Sequence, residues 1–372
     1  MNIFICAVQF KGGSLQVVIS LIKEFVKFPE NNYFVVMSRE VKKQLQGIDF
    51  PDNFHFYDLP YPSKIRLANS YLRGAFLSKI EKESACDCII CTSGPIYWTP
   101  KRPMLLGYNL PHLIYPESPY FKRIPLWMRL RWRVRWATHK ARYHKEASAI
   151  FVQTEDVNLR LRKILGTDKV YTISNTYNNA YDIQKAYPNK LPERKGNEVR
   201  LLTLSAFYKH KNFEIISKTL ASLHSKGVDN VRFVVTLPAD RFKEAFGEHP
   251  SPNIINVGFV PTLEGASLYK ECDYMFLPTL LECFSASYAE AMVMKKPILT
   301  SDLGFAHTVC NDAALYFDPD DADDVADKII TLIHSPQLQA ELIEKGTRQL
   351  CQFGSAEQRA VKILELCKQI VK

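Results

Sequence analysis

The stretch LPTLLECFSASYAEAMVMKKPILTSDLGF, Leu277 to Phe305, decides the reading of the chain. The apolar run Tyr274 to Leu277 reads as a strand, Pro278 to Cys283 as a turn, Phe284 to Lys295 as a helix, and Pro297 to Thr300 as a second strand. Strand, helix, strand is a βαβ unit, which demands parallel strands with the helix covering one sheet face. Two carboxylates sit in it at unequal depths. Glu282 lies in the loop leading into the helix, and Glu290 about two turns further on, its side chain tilting back toward the helix start.

The same rhythm runs outward in both directions. Strand-like runs occur at Ile3 to Val8, Tyr33 to Met37, Cys88 to Thr92, Met104 to Tyr108, Ala149 to Gln153 and Val170 to Ser174, separated by amphipathic segments. The polar, turn-rich stretch TYNNAYDIQKAYPNKLPERKGNE then interrupts it. It resumes with Val199 to Leu204, Val231 to Thr236, Ile254 to Val257, Tyr274 to Leu277, Pro297 to Thr300 and Ala314 to Phe317. The expected architecture is α/β, with two Rossmann-like doubly wound domains facing across a cleft: residues 1–175, a linker at 176–197, and residues 198–354. The tail, 355–372, is a helix packing back on the first domain. A length of 372 residues accords with two cores.

Apolar residues make up 47% of the chain and charged ones 23%, with no apolar run near the roughly 18 residues a membrane-spanning helix requires. The start, MNIFICAVQFKGG, lacks the basic leader and cleavage site of a secretory signal, and nine scattered cysteines argue against a disulfide framework. Both point to the cytoplasm. The CxxC at Cys88 and Cys91 has no second pair at zinc spacing and reads as buried strand thiols.

Ligands of open parallel sheets bind beyond the carboxyl ends of the strands, so the loops after strands carry the chemistry. Free N–H groups of about Cys283 to Ser287 suit an anionic or oxygen-rich ligand, and Glu290 is placed to accept two hydrogen bonds from a vicinal diol such as a ribose. The run Leu277-Pro278-Thr279, Glu282 through Glu290-Ala291-Met292, Pro297 to Thr300, Ser301-Asp302-Leu303-Gly304 and Ala313 to Pro319 resembles the signature of retaining GT-B glycosyltransferases of family 4, the glycosyl transferases group 1. The resemblance covers roughly residues 198 to 335 well and the first domain loosely. It implies that Glu290 binds the nucleotide ribose, that Glu282 reaches hydroxyls of the donor sugar, and that Phe284, Ser285 and Ala286 lie close to that sugar and its phosphates. Cys283 and Ser285 stand where the family often has glycines, which narrows the sugar accepted. Under this reading the acidic groups and one ammonium face a ligand rather than pairing with one another.

After Leu201 to Leu204 comes SAFYKHKNFEII, where a lysine at the head of the next helix neutralises a diphosphate leaving group. Lys211-Asn212 matches the second half of the family pattern, but Ala206 occupies its arginine position; Lys209 or His210 compensates, or the cluster is a solvated helix start. Gly12-Gly13 after the first strand lets backbone approach a phosphate or an acceptor, or simply forms a turn. His112, in GYNLPHLIY, resembles the family's cleft histidine near the donor sugar; a structural role is the alternative.

Asp318-Pro319-Asp320 spells a metal-holding DxD, yet it opens a helix near Asp321, where acids cap; no metal and no cofactor are expected, the nucleotide-diphosphate sugar being a substrate. Residues 120–145 hold nine Lys or Arg, no acid and three of the four tryptophans. On a helix Trp127, Leu130, Val134, Ala137 and Ala141 form one face expected to pack on the sheet, leaving Trp132, Trp136 and Tyr143 beside Arg131, Arg135 and Arg142 for an anionic membrane surface, or merely a solvated basic face. No nucleic-acid-binding module accompanies this charge. The leading expectation is a retaining, metal-independent hexosyltransferase carrying a sugar from a nucleotide donor to a glycan or lipid-linked glycan, as in polysaccharide or lipopolysaccharide biosynthesis. The alternatives are a non-catalytic nucleotide-sugar or glycan binding protein and, third, a basic nucleic-acid binder.

Overall fold

The computed structural model describes residues 1–9, 12–60 and 66–371. Residues 10, 11, 61–65 and 372 lie outside them. Two compact units result. Unit 1 comprises Met1–Ile114, Leu126–Asn175 and Ser355–Lys372; unit 2 comprises Tyr115–Pro125 and Thr176–Gly354.

Unit 1 contains β1 (Asn2–Ala7), α1 (Gly13–Phe25), β2 (Asn32–Met37), α2 (Arg39–Leu45), β3 (Phe54–Asp58), α3 (Arg66–Glu83), β4 (Cys88–Cys91), β5 (Met104–Gly107), α4 (Leu126–Glu146), β6 (Ala149–Val152), α5 (Glu155–Leu165) and β7 (Val170–Thr172). Its strands pair in parallel in the order β3-β2-β1-β4-β5-β6-β7. Val18, Leu21, Ile22 and Phe25 of α1 pack on Ile3, Ile5 and Val35. Gly12 supplies the sharp entry to α1 at φ 71°, a left-handed backbone that side chains disfavour, and its carbonyl accepts from the Leu15 amide at 3.1 Å.

Unit 2 contains α6 (Ala180–Ile183), β8 (Val199–Thr203), α7 (Ile215–Ser225), β9 (Val231–Val235), α8 (Ala239–Phe246), β10 (Ile254–Asn256), α9 (Gly265–Lys270), β11 (Tyr274–Leu277), α10 (Ala286–Val293), β12 (Ile298–Ser301), α11 (Gly304–Cys310), β13 (Ala314–Phe317), α12 (Ala322–His334) and α13 (Pro336–Leu350). The sheet order is β10-β9-β8-β11-β12-β13, again parallel. The order reverses direction between β8 and β11, where successive crossovers diverge to opposite faces and open a crevice at the strands' carboxyl ends. The final helix, α14 (Ala356–Val371), belongs to unit 1, with Ala360, Ile363, Leu364 and Cys367 in its core.

The structure departs from the sequence reading in three places. First, β3 is an additional strand at the edge of its sheet, with Phe54 buried but His55, Phe56 and Asp58 exposed, so it lacks the apolar run of an interior strand.

Second, residues 176–197 are not a free linker. Tyr181 is buried against Tyr269, with ring centroids 6.0 Å apart, and the Glu271 carboxylate accepts from the amides of Lys190 and Leu191 at 3.0 and 2.9 Å. A polar stretch can be fixed by satisfying backbone donors rather than by burying an apolar run.

Third, α4 is rotated from the expected orientation. The face assigned to the sheet is exposed: Trp127, Leu130 and Val134 are 63%, 62% and 63% accessible, and Ala137 and Ala141 are exposed too. Its inward side carries His139, Tyr143 and Glu146, with Trp132 and Trp136 half-buried. Trp132 stacks on His112 at 4.3 Å, the Tyr143 hydroxyl donates to the Gly107 carbonyl at 3.2 Å, and the Glu146 carboxylate accepts from the Ile96 amide at 2.9 Å. Amphipathic side chains win the inner face because they satisfy backbone groups there, which leucine and valine do not.

Gly265 opens α9 against Tyr181; a Cβ built there would come within 2.2 Å of the phenol oxygen. We expect Gly265→Ala to destabilise the protein by about 1–3 kcal/mol in urea unfolding. Tyr181→Phe, which removes that oxygen, should recover part of the loss in the double variant; equal stability of Gly265→Ala and wild type would contradict the close approach.

Candidate functional site

In unit 2 the two loops after β8 and β11 meet at the reversal point. The Thr203 hydroxyl donates to the Phe276 carbonyl at 2.7 Å, tying the strand ends together, and the Ser287 hydroxyl donates to the Leu204 carbonyl at 3.1 Å, docking the first turn of α10 on the end of β8. The amides of Ala286 and Ser287 open that helix, where no intrahelical acceptor exists for them, and with the helix dipole they present partial positive charge. Ser285 is the N-cap residue, buried and extended, with no capping bond from its own side chain; Phe284 packs edge-on against Phe353 at 5.6 Å.

Lys211 closes a short 3₁₀ turn, Lys209–Lys211, after β8 and is 8% exposed. Asn212 follows in the left-handed conformation, φ 57°, which asparagine tolerates better than most residues, and its side-chain amide nitrogen donates to the Pro319 carbonyl at 3.0 Å. The Arg123 guanidinium donates to the Asn212 side-chain oxygen and the Asp320 carboxylate, and to the Pro319 carbonyl at 3.2 Å. The Lys-Asn pair is thus a cation plus the turn residue that aims it.

Here two of the groups expected to face a ligand face each other. The Lys211 ammonium is in a short ion pair with the Glu282 carboxylate, which also accepts from the Thr279 hydroxyl at 3.1 Å. A nearly buried ammonium needs a counter-charge, and Glu282 supplies it. The His210 carbonyl locks the two loops together, accepting from the Leu280 amide at 2.7 Å and the Thr279 hydroxyl at 3.3 Å. Burial, and then the charge of Lys211, hold the His210 imidazole down to about 3, so it is neutral and does not replace the arginine missing at Ala206. Lys209 is exposed.

Glu290 sits half-buried on α10, and burial pushes its carboxyl up to about 7, a rise opposed by a hydrogen bond from Tyr181. Burial, with the Glu290 charge, raises the Tyr181 phenol, which stays protonated as donor. Tyr181 and Thr279 are the members of the site that sequence reasoning missed. Thr279 stood inside the Pro-Thr signature; Tyr181 stood in a stretch whose polarity masked it.

Residues 185–349 match the family model described as glycosyl transferases group 1. The match is confined to this segment, which lies within unit 2. Solved structures similar to this chain include sucrose-phosphate synthase from Thermosynechococcus elongatus, at 16% identity, TM-score 0.75, covering 99% of this chain and 98% of that one. WaaG, a glycosyltransferase involved in lipopolysaccharide biosynthesis, aligns at 15% identity and TM-score 0.73, over 98% of both chains. Anabaena Alr3699/HepE, in complex with UDP and glucose, aligns at 17% identity and TM-score 0.73, also over 98% of both. No curated protein matches the chain. The two parallel sheets with flanking helices are the GT-B fold.

The remaining expected site residues belong to unit 1. His112, in the 3₁₀ turn Pro111–Leu113, is half-buried with its ring on Trp132, and Gly12 and Gly13 form the turn into α1. At the DxD segment, Asp321 caps α12 by accepting from the amides of Asp323 and Asp324, while Asp320 pairs with Arg123. Among the described residues, no group of three or more His, Cys, Asp or Glu is arranged to hold a metal ion, and no helix is long and apolar enough to cross a membrane.

Two measurements check this geometry. Glu282→Gln strips a buried ammonium of its counter-charge and should cost roughly 3–5 kcal/mol in urea unfolding, while Lys211→Met with Glu282→Gln should cost clearly less; additive losses would dissolve the pair. A carboxyl near 7 in the folded protein and about 4.3 unfolded contributes stability below pH 4 that is lost as pH rises through 7. Glu290→Gln should therefore narrow the difference in Tm between pH 5 and about pH 8, and an unchanged difference would contradict the burial assigned to Glu290.

Proposed function

We propose that the protein is a retaining family 4 glycosyltransferase moving a hexose-like sugar from a nucleotide-diphosphate donor to a glycan or lipid-linked glycan, on the cytoplasmic side of the cell. The observation that carries this reading is the Lys211–Glu282 pair at the β8–β11 reversal, beside the first-turn amides of α10 and with Glu290 on the same helix. The group 1 family match and neighbours such as Alr3699/HepE with UDP and glucose support the donor class, and WaaG supports a lipopolysaccharide-type acceptor.

In this reading the bond from the anomeric carbon to the diphosphate oxygen breaks, its electron pair leaving with the diphosphate, and the acceptor hydroxyl oxygen forms the new bond as its proton passes to the departing diphosphate. Lys211 and the α10 amides offset the charge growing on the diphosphate, with no metal required. For that, the ammonium shares or exchanges Glu282, whose freed carboxylate then reaches hydroxyls of the sugar. Glu290, ionised, takes the ribose diol.

A thermal-shift panel of nucleoside diphosphates and their sugars tests the donor site, because a specific ligand raises stability with its concentration. One base should stand out; Glu290→Ala should abolish its shift and Lys211→Ala weaken it. Unchanged shifts in both variants would refute the site. Slow donor hydrolysis without acceptor, and a product whose anomeric configuration matches the donor by proton NMR, are expected. Affinity with no turnover under any acceptor would make the protein a binder instead.

A further inference from the structure

We propose that the outward face of α4 docks on an anionic lipid surface, through side chains on the side opposite to the tryptophans Trp132 and Trp136. Leu126, Trp127, Leu130, Val134, Ala137 and Ala141 are all exposed, and at 100° per residue they fall within one continuous sector of about 100°. Exposed bases border the stripe along both edges, Arg133 and Lys140 on one side and Arg131 on the other, while Arg135, further round, turns its guanidinium onto the Trp132 ring and His139. The helix's one acid, Glu146, is buried at its end on the opposite side.

The orientation is fixed from behind. Trp132 on His112, the Tyr143 hydroxyl on the Gly107 carbonyl and the Glu146 carboxylate on the Ile96 amide hold the inner side, so α4 cannot roll to bury its apolar stripe without breaking them. A contiguous apolar patch kept in water needs a partner. Charge decides which. Apolar side chains enter the boundary of the acyl region while flanking arginines reach lipid phosphates, so an anionic bilayer satisfies both halves of the face along the roughly 30 Å of the helix. A second copy of the chain, meeting this face with its own, would oppose two rows of guanidinium groups, and a nucleic acid would leave the stripe wet.

The test uses the full chain, sedimented with vesicles of phosphatidylcholine alone or mixed with phosphatidylglycerol. Wild type should bind the mixed vesicles only, less strongly as salt rises. Leu130→Glu with Val134→Glu should lower the partition coefficient by at least tenfold, and Arg131→Gln with Arg133→Gln by on the order of tenfold. Brominated lipid should quench part of the tryptophan fluorescence in wild type, and that part should vanish in Trp127→Phe. All variants should keep the wild-type Tm, which separates lost docking from lost folding. Equal sedimentation of wild type and the Glu variants would overturn the proposal. So would self-association abolished by those variants, or salt-sensitive binding to duplex DNA, in a protein that ignores the vesicles.

Discussion

The candidate site depends on parallel strand pairing at one seam. Because β8 and β11 run side by side in the same direction, the loops that follow them emerge at the same end, and because their crossovers diverge, nothing in the sheet fills the space between. Everything chemical in unit 2 is built on that seam. The Thr203–Phe276 and Ser287–Leu204 hydrogen bonds draw the two ends together, the His210 carbonyl binds one loop to the other, and a lysine from the first loop meets a glutamate from the second.

Electrostatics then sets the character of the place. A cation with little access to water is stabilised by one carboxylate, while a second carboxylate, deeper on α10, is held by a phenol instead and titrates near neutrality. The two glutamates that look alike in the sequence differ in surroundings: Glu282 is paired with an ammonium, while burial pushes the Glu290 carboxyl up to about 7 against a hydrogen bond from Tyr181. Such separation of nearby acids by environment is how one site holds groups with distinct tasks.

Most of the architecture was legible because parallel strands are short apolar runs, and twelve of the thirteen described strands lie in one, although the edge strands Val170–Thr172 and Ile254–Asn256 are only partly buried. The exception, Phe54–Asp58, lies at an edge and spends half its residues on water. Within the site, Glu282, Glu290, Lys211 and Asn212 were readable from spacing and family resemblance. Their partners were not, since Tyr181 reaches Glu290 from a segment about a hundred residues earlier, and no local pattern announces such a contact. The orientation of α4 failed for a different reason. Ranking its faces by hydrophobicity ignores the Gly107 carbonyl and the Ile96 amide, which only the Tyr143 and Glu146 face can satisfy.

The tyrosine at 181 also says where the polypeptide can be divided. An excised fragment beginning at residue 198 would contain the whole second sheet, yet would strip α9 and α10 of the ring that fills the space beside Gly265 and of the hydroxyl that steadies Glu290. The smallest autonomous piece bearing Glu290 with its phenol partner must therefore begin upstream of α6, in what reads by composition as mere connecting chain.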